Sequence, residues 1–268
     1  MKVVLFCGGM GTRIREYSES LPKPLIPLGS QPIMRHVMQY YSDYGHDEFI
    51  LCLGYKANVI KDFFLNTKPQ AFSDCVVSGS GQVELLGEMH KEWRVSLIDT
   101  GIWRNIGERL WAVRDHVKNE KIFLANYSDG LTNVDLDDMI ARFEASDKLA
   151  CFLAVRPPLT YHLADIEEDG RVREFRSSDR SDIWINGGYF LMRGEIFDYM
   201  REGEELVLEP FSRLIAEDKL MAYKHEGFWR SMDTLRDWQS LEEMVERGDM
   251  PWTYHGRSMD RRRMAKLS

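Results

Sequence analysis

The segment VVLFCGGMGTR, residues 3–13, passes from an apolar run into three glycines and an arginine. The run VVLF favours a buried strand. Glycines directly after a strand let the backbone turn sharply and expose N–H groups to an anion. Arg13 adds a fixed fork of donors that suits phosphate oxygens. The segment therefore predicts an α/β fold whose first strand opens into an anion-binding loop.

A second basic segment, LPKPLIPLG at residues 21–29, follows closely and holds Lys23 between two prolines. Pro22 and Pro24 restrict the backbone on both sides of the lysine and so help to aim its flexible ammonium group. Alone, a proline-flanked lysine is typical of an exposed loop, and a GGxG segment is typical of an ordinary tight turn. Together, close behind a first strand, the two segments predict a shared polyanion site.

The glycine loop matches neither of two common nucleotide-binding signatures. It lacks the GK[ST] of a Walker loop, and Ile14 stands where the third glycine of a GxGxxG pattern would lie. A Rossmann-fold oxidoreductase is therefore disfavoured. It remains an alternative that a failure to bind NAD(P) would dismiss.

Apolar runs alternate with helical periodicity along the first 155 residues. The runs predict strands at residues 3–7, 49–54, 95–99, 121–126 and 150–155. The helical patterns cover residues 33–45, 58–65, 108–117 and 134–146. This alternation predicts a doubly wound, mainly parallel, Rossmann-like sheet with ligands at the carboxyl ends of its strands.

Beyond residue 156 the pattern becomes mixed, with a β-rich excursion first. It predicts a hairpin at 164–175 that turns on Asp169-Gly170, a strand at 185–192, short helices at 194–201 and 209–217, a strand at 220–225 and a helix at about 234–247. No linker rich in Ser, Gly or Pro is visible. Residues 1–250 are therefore predicted to form one domain, followed by a basic tail at 251–268.

The composition limits the possible partners. The net charge of −8 disfavours binding to duplex nucleic acid, which usually requires a basic surface. No apolar run approaches the ~18 residues of a membrane span, and the start MKVVLFCGG does not resemble a secretory signal. Four widely spaced cysteines without a CxxC motif predict reduced thiols in the cytoplasm. The basic tail is open to three interpretations: a solvated end, a subunit contact or an anion patch.

The motifs together resemble a known family. LFCGGMGTRIRE followed by LPKPLIPLG resembles the opening signature of the sugar-1-phosphate nucleotidylyltransferases. Further along, FILCLGYKANVIKDFF, VSLIDTGIWRNIGERLWAV, YSDG, INGGYF, EPF and EGFWRSMDTLRD resemble, in order, segments of the glucose-1-phosphate cytidylyltransferase branch. The resemblance extends to about Trp252. It implies the nucleotide-diphospho-sugar transferase type of fold, with a nucleotide-binding part at about 1–135 and an acceptor-binding part at about 136–250.

The resemblance also implies an activity, in which CTP and a sugar 1-phosphate give a CDP-sugar and pyrophosphate. Arg13 would hold the β- and γ-phosphates, and Lys23 would bridge the α-phosphate and the attacking phosphate. Asp129 in YSDG and Asp233 in RSMDT would bind Mg²⁺, which takes oxygen ligands and keeps some water. The other residues implied at the nucleotide are Phe6, Gly8, Gly9, Gly11, Thr12, Arg109 and Ser128.

The acceptor side departs from the family pattern. Relatives usually carry E-K-P after the hairpin strand, whereas this chain has EFRSSDRSDIWINGG and no lysine between Lys148 and Lys219. Arg176 and Arg180 are nearby substitutes, since an arginine fork also holds phosphate. The loop RPPLTYHLADI also places Tyr161 and His162 where relatives tend to have glycine. The acceptor implied is glucose 1-phosphate, a modified hexose phosphate or a non-sugar phosphomonoester.

The resemblance implies a set of acceptor residues. These are Lys23, Tyr161, Arg176, Asn186, Gly187, Gly188 and Glu209. Between Gly101 and Gly107 the chain has IWRNI instead of small polar residues, so Trp103 and Arg104 would wall the base differently. Self-association into a homo-oligomer is also implied. A catalytically weakened regulatory protein that binds nucleotides remains the alternative from another class.

Overall fold

A computed structural model of the chain describes residues 1–14, 21–67, 75–85, 93–157, 162–177 and 183–253. The strands within this part are β1 (Lys2–Phe6), β2 (Pro27–Leu28), β3 (Gln31–Pro32), β4 (Glu48–Leu53), β5 (Cys75–Val77), β6 (Val83–Leu85), β7 (Arg94–Asp99), β8 (Phe123–Asn126), β9 (Gly130–Thr132), β10 (Ala150–Val155), β11 (His162–Ile166), β12 (Val172–Ser177), β13 (Ile185–Met192), β14 (Leu220–His225) and β15 (Trp229–Ser231). The α-helices are α1 (Ile33–Asp43), α2 (Ala57–Asn66), α3 (Ile106–Ala112), α4 (Arg114–Val117), α5 (Leu136–Glu144), α6 (Glu209–Ala216) and α7 (Leu235–Glu246). Short 3₁₀ helices span Thr12–Ile14, Lys23–Leu25 and Gly194–Tyr199.

The central sheet has seven strands in the order β14-β10-β13-β8-β1-β4-β7. Neighbouring strands pair in parallel, except that β13 runs antiparallel to both β8 and β10. The first strand of the sequence lies near the middle, between β8 and β4. The predicted α/β fold with a mainly parallel sheet is confirmed.

The sheet separates two apolar cores. Along β1, Val3 and Leu5 belong to one core, whereas Val4 and Phe6 belong to the other, because successive side chains of a strand point to opposite faces. Helices α1 and α5 supply residues to the first core, and α3 and α6 supply residues to the second. Both faces are therefore covered, as a parallel sheet requires.

Side-chain caps set the start of helices α3 and α7. Asn105 and Glu108 form a capping box that begins α3, and Thr234 and Asp237 form another that begins α7. The helix predicted at 108–117 is divided into α3 and α4, because Val113 takes φ −102° and ψ 9° between them.

Several short ribbons were not predicted from the sequence. They are the antiparallel pairs β2–β3, β5–β6 and β9–β15, in which each strand has only two or three residues. Such short strands contain too few residues for a period of two to be recognised. The predicted hairpin is present as β11–β12, and the helix expected at 194–201 is a 3₁₀ helix. In the described part of the chain, no helix has the length and apolarity needed to cross a membrane.

Candidate active site

The carboxyl ends of β8, β1, β4 and β7 meet at one edge of the sheet, beside the start of antiparallel β13. A cavity of about 790 Å³ lies along this edge. The loops after β1, β7 and β8 line it, together with the first residues of β13 and the segment at β15. This is the edge at which the sequence predicts ligand binding.

A cluster of four charged side chains forms the centre of the cavity wall. The Lys23 Nζ donates to Asp129 Oδ2 at 2.6 Å and to Asp233 Oδ1 at 2.8 Å. Arg13 Nη2 lies 3.2 Å from the same Asp233 oxygen. The Lys23 side chain is only 14 % exposed, whereas that of Arg13 is 72 % exposed. One cation is therefore largely buried between the acids, and a second is largely exposed beside them.

A short ribbon explains why acids so far apart in sequence come together. Strand β9 begins directly after Asp129, and β15 ends two residues before Asp233. The two strands pair antiparallel with Gly130 opposite Ser231. The Met232 amide then donates to the Asp129 carbonyl at 3.0 Å. The pairing of β9 with β15 therefore aligns the two carboxylates.

The turn that carries Asp129 is held in an unusual backbone conformation. Ser128 has φ +67°, a left-handed value that L-residues other than glycine seldom adopt. Asn126 Oδ1 accepts from the Ser128 amide at 2.7 Å, and the Ser128 hydroxyl donates to the Phe6 carbonyl at 2.9 Å. These bonds fix the strained turn after β8 against the end of β1 and so orient Asp129.

The charged cluster shifts the protonation of its members. Although burial disfavours the ammonium, the carboxylates of Asp129 and Asp233 keep the pKa of Lys23 above its ordinary value. Burial also disfavours the charged form of Asp233, but Lys23 and Arg13 outweigh it and lower the pKa of that carboxyl. For Asp129, the effect of burial is larger than the attraction of Lys23, so the pKa of this carboxyl is raised. At neutral pH the cluster holds a firmly charged lysine between two acids.

Arg109 lies beneath the loops that form the other end of the cavity. It is 2 % exposed. Its Nη1 donates to the Leu53 and Gly101 carbonyls at 3.0 and 2.9 Å, and to the Thr100 hydroxyl at 2.8 Å. Its Nη2 donates to the carbonyls of Gly8 at 3.1 Å and of Ile102 at 3.2 Å. The guanidinium therefore ties together the ends of β1, β4 and β7.

The glycine at position 8 is required by this arrangement. A Cβ at Gly8 would lie 2.0 Å from the Nη1 of Arg109, so any other residue there would displace the guanidinium from the carbonyls that it binds. The Gly8 carbonyl faces the buried guanidinium, whereas Gly9 and Gly11 line the cavity. The first glycine therefore serves the packing of the loop, and the next two leave its outer side open.

The far side of the cavity is built on β13. The Asn186 Nδ2 donates to the Tyr127 hydroxyl at 2.9 Å, and Trp229 Nε1 donates to the Gly187 carbonyl at 2.8 Å. Gly188 takes φ +76°, and a Cβ there would lie 2.7 Å from the Tyr127 ring. Burial raises the pKa of Tyr127 to about 12, so its hydroxyl stays protonated. Polar donors and acceptors thus converge on this side.

A carboxylate that sequence reasoning missed also faces the cavity. Glu205 lines it, and burial raises the pKa of this acid despite hydrogen bonds from the backbone at Ile106 and Leu206. Glu209, which the sequence predicted instead, lies behind it as the first residue of α6. There its Oε2 accepts from the Glu205 amide at 3.0 Å.

The structure brings most of the predicted residues to one place. Those that line the cavity are Phe6, Gly9, Gly11, Arg13, Lys23, Arg109, Ser128, Asp129, Asn186, Gly187 and Asp233. Gly8, Gly188 and Glu209 lie behind the lining residues. Tyr161, Arg180 and the tail from residue 254 lie outside the described residues, as do the side chains of Thr12, His162 and Arg176.

The cavity also has lining residues that the sequence did not single out as site residues. Tyr127, Trp229, Ser231 and Met10 are among them. Tyr127 and Trp229 stand within the motifs YSDG and EGFWRSMDTLRD, so their nearness to the two acids was the available signal. Glu205 had no such signal, because no motif contains it.

Comparisons with known proteins identify the family to which the chain belongs. The family model for nucleotidyl transferases matches residues 2–246. The glucose-1-phosphate cytidylyltransferases of Salmonella typhi and Salmonella typhimurium are each 36 % identical over 94 % of this chain and 98 % of their own length. The UTP-bound UGPase from Acinetobacter baumannii superposes with a TM-score of 0.67 over 98 % of both chains, at 14 % identity, and so supports the fold.

The fold is that of a nucleotidyltransferase. The chain belongs to the nucleotidyl transferase family, among its sugar-1-phosphate nucleotidylyltransferases. This membership argues against the oxidoreductase alternative.

Proposed function

We propose that the chain joins CTP to a sugar 1-phosphate and releases pyrophosphate and a CDP-sugar. The observation that carries the proposal is the position of Lys23 Nζ between Asp129 and Asp233 in a cavity that Arg13 and the glycine loop also line. Similarity to the glucose-1-phosphate cytidylyltransferases supports both the nucleotide and the acceptor class.

The reaction is a transfer of the CMP group between two phosphate oxygens. An oxygen of the sugar 1-phosphate forms a bond to the α-phosphorus of CTP. The bond from that phosphorus to the bridging α–β oxygen breaks, and pyrophosphate leaves with the electron pair. No proton transfer is needed, so catalysis depends on positioning the two anions and on stabilising charge.

Lys23 and Arg13 stabilise different phosphates in this proposal. Lys23 is held in place by its carboxylate partners and lies where the α-phosphate and the attacking phosphate would meet, so it reduces their repulsion. Arg13 is largely exposed and follows the glycine loop, so it holds the β- and γ-phosphates and the leaving pyrophosphate. The amides at Gly9, Gly11 and Thr12 would supply the backbone cradle.

The two acids suit a divalent cation. Both accept from one ammonium at 2.6 and 2.8 Å, so their oxygens converge on a single positive charge. Asp129 and Asp233 would each supply a carboxylate oxygen to Mg²⁺, with phosphate oxygens and water as the remaining ligands. Bound Mg²⁺ supplies charge neutralisation on the phosphates. In the described part of the chain no group of three or more His, Cys, Asp or Glu could hold a metal ion, so the two acids would need the phosphates of the substrate to complete the site.

The acceptor is assigned to the β13 side of the cavity. Asn186, Gly187 and Tyr127 present amide, backbone and hydroxyl groups there. Glu205 adds a carboxylate that accepts from sugar hydroxyls. The chain lacks the family's E-K-P lysine, so the acceptor phosphate depends on Lys23 and on arginines such as Arg176. Glucose 1-phosphate, a modified hexose phosphate and another phosphomonoester are the acceptors to compare.

Two further predictions concern the cellular location and the oligomeric state of the protein. All four cysteines are free thiols, which supports the expected cytoplasmic location. The expected homo-oligomer is tested by sedimentation velocity of the purified chain.

A substrate screen tests the proposal. Purified protein with Mg²⁺ is incubated with each NTP or dTTP and a panel of phosphorylated acceptors, and pyrophosphate release and the nucleotide-linked product are measured. CTP with a hexose 1-phosphate is expected to give the highest kcat/KM. Preference for UTP or dTTP would reject the cytidylyl assignment and keep the reaction class. Nucleotide binding without any product would favour the regulatory alternative.

A further inference from the structure

The position of the base subsite follows from the order of loops along the sheet edge. The acceptor residues lie at β13, the acid turn follows β8, the glycine loop follows β1, and the loop of residues 100–105 follows β7. Neighbouring strands are about 4.8 Å apart, so the β7 loop lies roughly 14 Å from the acid turn. A nucleotide whose phosphates bind at the glycine loop therefore extends its base towards β7.

Exposed apolar side chains stand among polar ones in the cavity wall at this end. Three large apolar side chains remain solvent-exposed there: Met10 at 38 %, Ile102 at 47 % and Trp103 at 82 %. Trp103 is the most exposed large apolar side chain in the described part of the chain. Tryptophan is usually well buried in a folded protein, because its ring carries a large apolar surface. Its exposure at the cavity rim points to a ligand that covers the ring.

The loop that carries Trp103 is fixed before any ligand binds. Arg109 donates to the carbonyls of Gly101 and Ile102 on one side of the tryptophan. On the other side, Asn105 caps α3. Arg104 Nη1 donates to Glu108 Oε1 at 2.9 Å, so its charge is engaged locally. The ring is thus presented on a rigid support, which limits the entropy lost when a flat ligand stacks on it.

Resting on the proposed function, we infer that Trp103 binds the base of the nucleotide by stacking. Every base has a π-face, so stacking adds affinity without reading base identity. Trp103 therefore contributes to the binding of CTP and of UTP alike, and the choice between them belongs to groups that reach the edge of the base. The residue acts in ground-state binding and takes no part in the transfer step.

Equilibrium binding without an acceptor isolates this contribution, since no transfer then takes place. Calorimetry with CTP, UTP and Mg²⁺ is carried out on the wild type, Trp103→Ala, Trp103→Phe and the control Leu65→Ala. Leu65 is 77 % exposed and does not line the cavity. Trp103→Ala is expected to weaken CTP and UTP binding by the same factor, about tenfold. Trp103→Phe is expected to retain binding, and Leu65→Ala to leave it unchanged.

Fluorescence supplies a second readout. CTP is expected to quench the tryptophan emission of the wild type, and Trp103→Phe is expected to bind CTP with most of that quenching lost. An affinity of Trp103→Ala within twofold of the wild type would overturn the inference, as would quenching that persists in Trp103→Phe. A wild type that binds CTP but forms no CDP-linked product would instead overturn the proposed function. The comparison of affinities would still decide the role of Trp103.

Discussion

The Met232 amide donates a 3.0 Å hydrogen bond to the Asp129 carbonyl, and this contact joins the two halves of the site. It continues the β9–β15 ribbon by one step, so the carboxylates of Asp129 and Asp233 face the same lysine. The electrostatics of the cavity depend on this pairing.

Asp129→Asn and Asp233→Asn are expected to fold and to lose Mg²⁺-dependent turnover. Asparagine keeps the shape of the side chain but removes the charge that holds the cation. We expect kcat to fall roughly 100-fold or more, measured by pyrophosphate release over a range of Mg²⁺ concentrations. Asp115→Asn is the control, because its ion pair with Lys118 lies on the surface. Near-wild-type kcat in both site variants would remove the metal assignment.

Lys23→Ala is expected to lower kcat by a similar factor and also to lower Tm. Without the ammonium, two partly buried carboxylates keep only the exposed Arg13 as a positive neighbour, which costs about 1–3 kcal/mol. Lys23→Arg should restore part of the stability and little of the rate, because a planar fork does not fit a site shaped for one small cation. Lys118→Ala is the matched control, and Tm and kcat are measured on all three. Full activity in Lys23→Arg would contradict the assigned role.

Arg109→Lys is expected to destabilise the fold and to raise the KM for CTP. A lysine cannot reach the carbonyls of Gly8, Leu53 and Gly101 at once, so buried acceptors lose their donors. We expect a loss of about 2–4 kcal/mol in urea unfolding. Arg114→Lys, on the neighbouring helix, should change stability far less. An unchanged unfolding midpoint in Arg109→Lys would show that the loops hold without this arginine.

Glu205→Gln and Glu209→Gln decide which acid serves the acceptor. Glu205 lines the cavity and Glu209 stands behind it. Glu205→Gln is expected to raise the KM for the sugar phosphate about tenfold and to leave the KM for CTP unchanged, because a charged hydrogen bond is lost. Initial rates with each substrate varied in turn give both constants. A larger rise in the KM for the sugar phosphate in Glu209→Gln than in Glu205→Gln would assign the role to Glu209.

The gain in stability of Glu205→Gln over the wild type is expected to depend on pH. Burial raises the pKa of Glu205, so the folded state disfavours its charged form. Stability therefore falls as the pH rises from the ordinary glutamate pKa, about 4.3, through the raised value. Glutamine removes this penalty, so the variant should have a higher Tm than the wild type at pH 7.5. The gain should vanish near pH 4.

Glu209→Gln is the control for that series. Its carboxylate lies in the first turn of α6, where the helix dipole favours a negative charge, and its charge makes a smaller contribution than burial to the raised pKa of Glu205, so the substitution should give a smaller gain in Tm at pH 7.5 than Glu205→Gln. Equal gains in both variants would show that burial of Glu205 is not the cause.

Local patterns were sufficient to predict much of the framework. The apolar runs at residues 3–7 and 49–54 became β1 and β4, because buried parallel strands require continuous apolar residues, and the run at 95–99 became the edge strand β7. Arg13 and Lys23 were identified because glycine frees the backbone and proline restricts it, and both effects are recognisable in a sequence. The ribbons β5–β6 and β9–β15 escaped notice, since strands of three residues carry no readable period.

The sequence by itself determined the fold class and the chemical groups of the site: a strand that opens into glycines, an aimed lysine and two acids beside turns. Only the tertiary structure decided which groups meet. It placed Asp129 beside Asp233, engaged Arg109 with main-chain carbonyls and put Glu205 in front of Glu209. The physical reason is the distance along the sequence over which each kind of signal acts. Periodicity and turn preference act over a few neighbouring residues, whereas these contacts depend on which distant segments pair and pack.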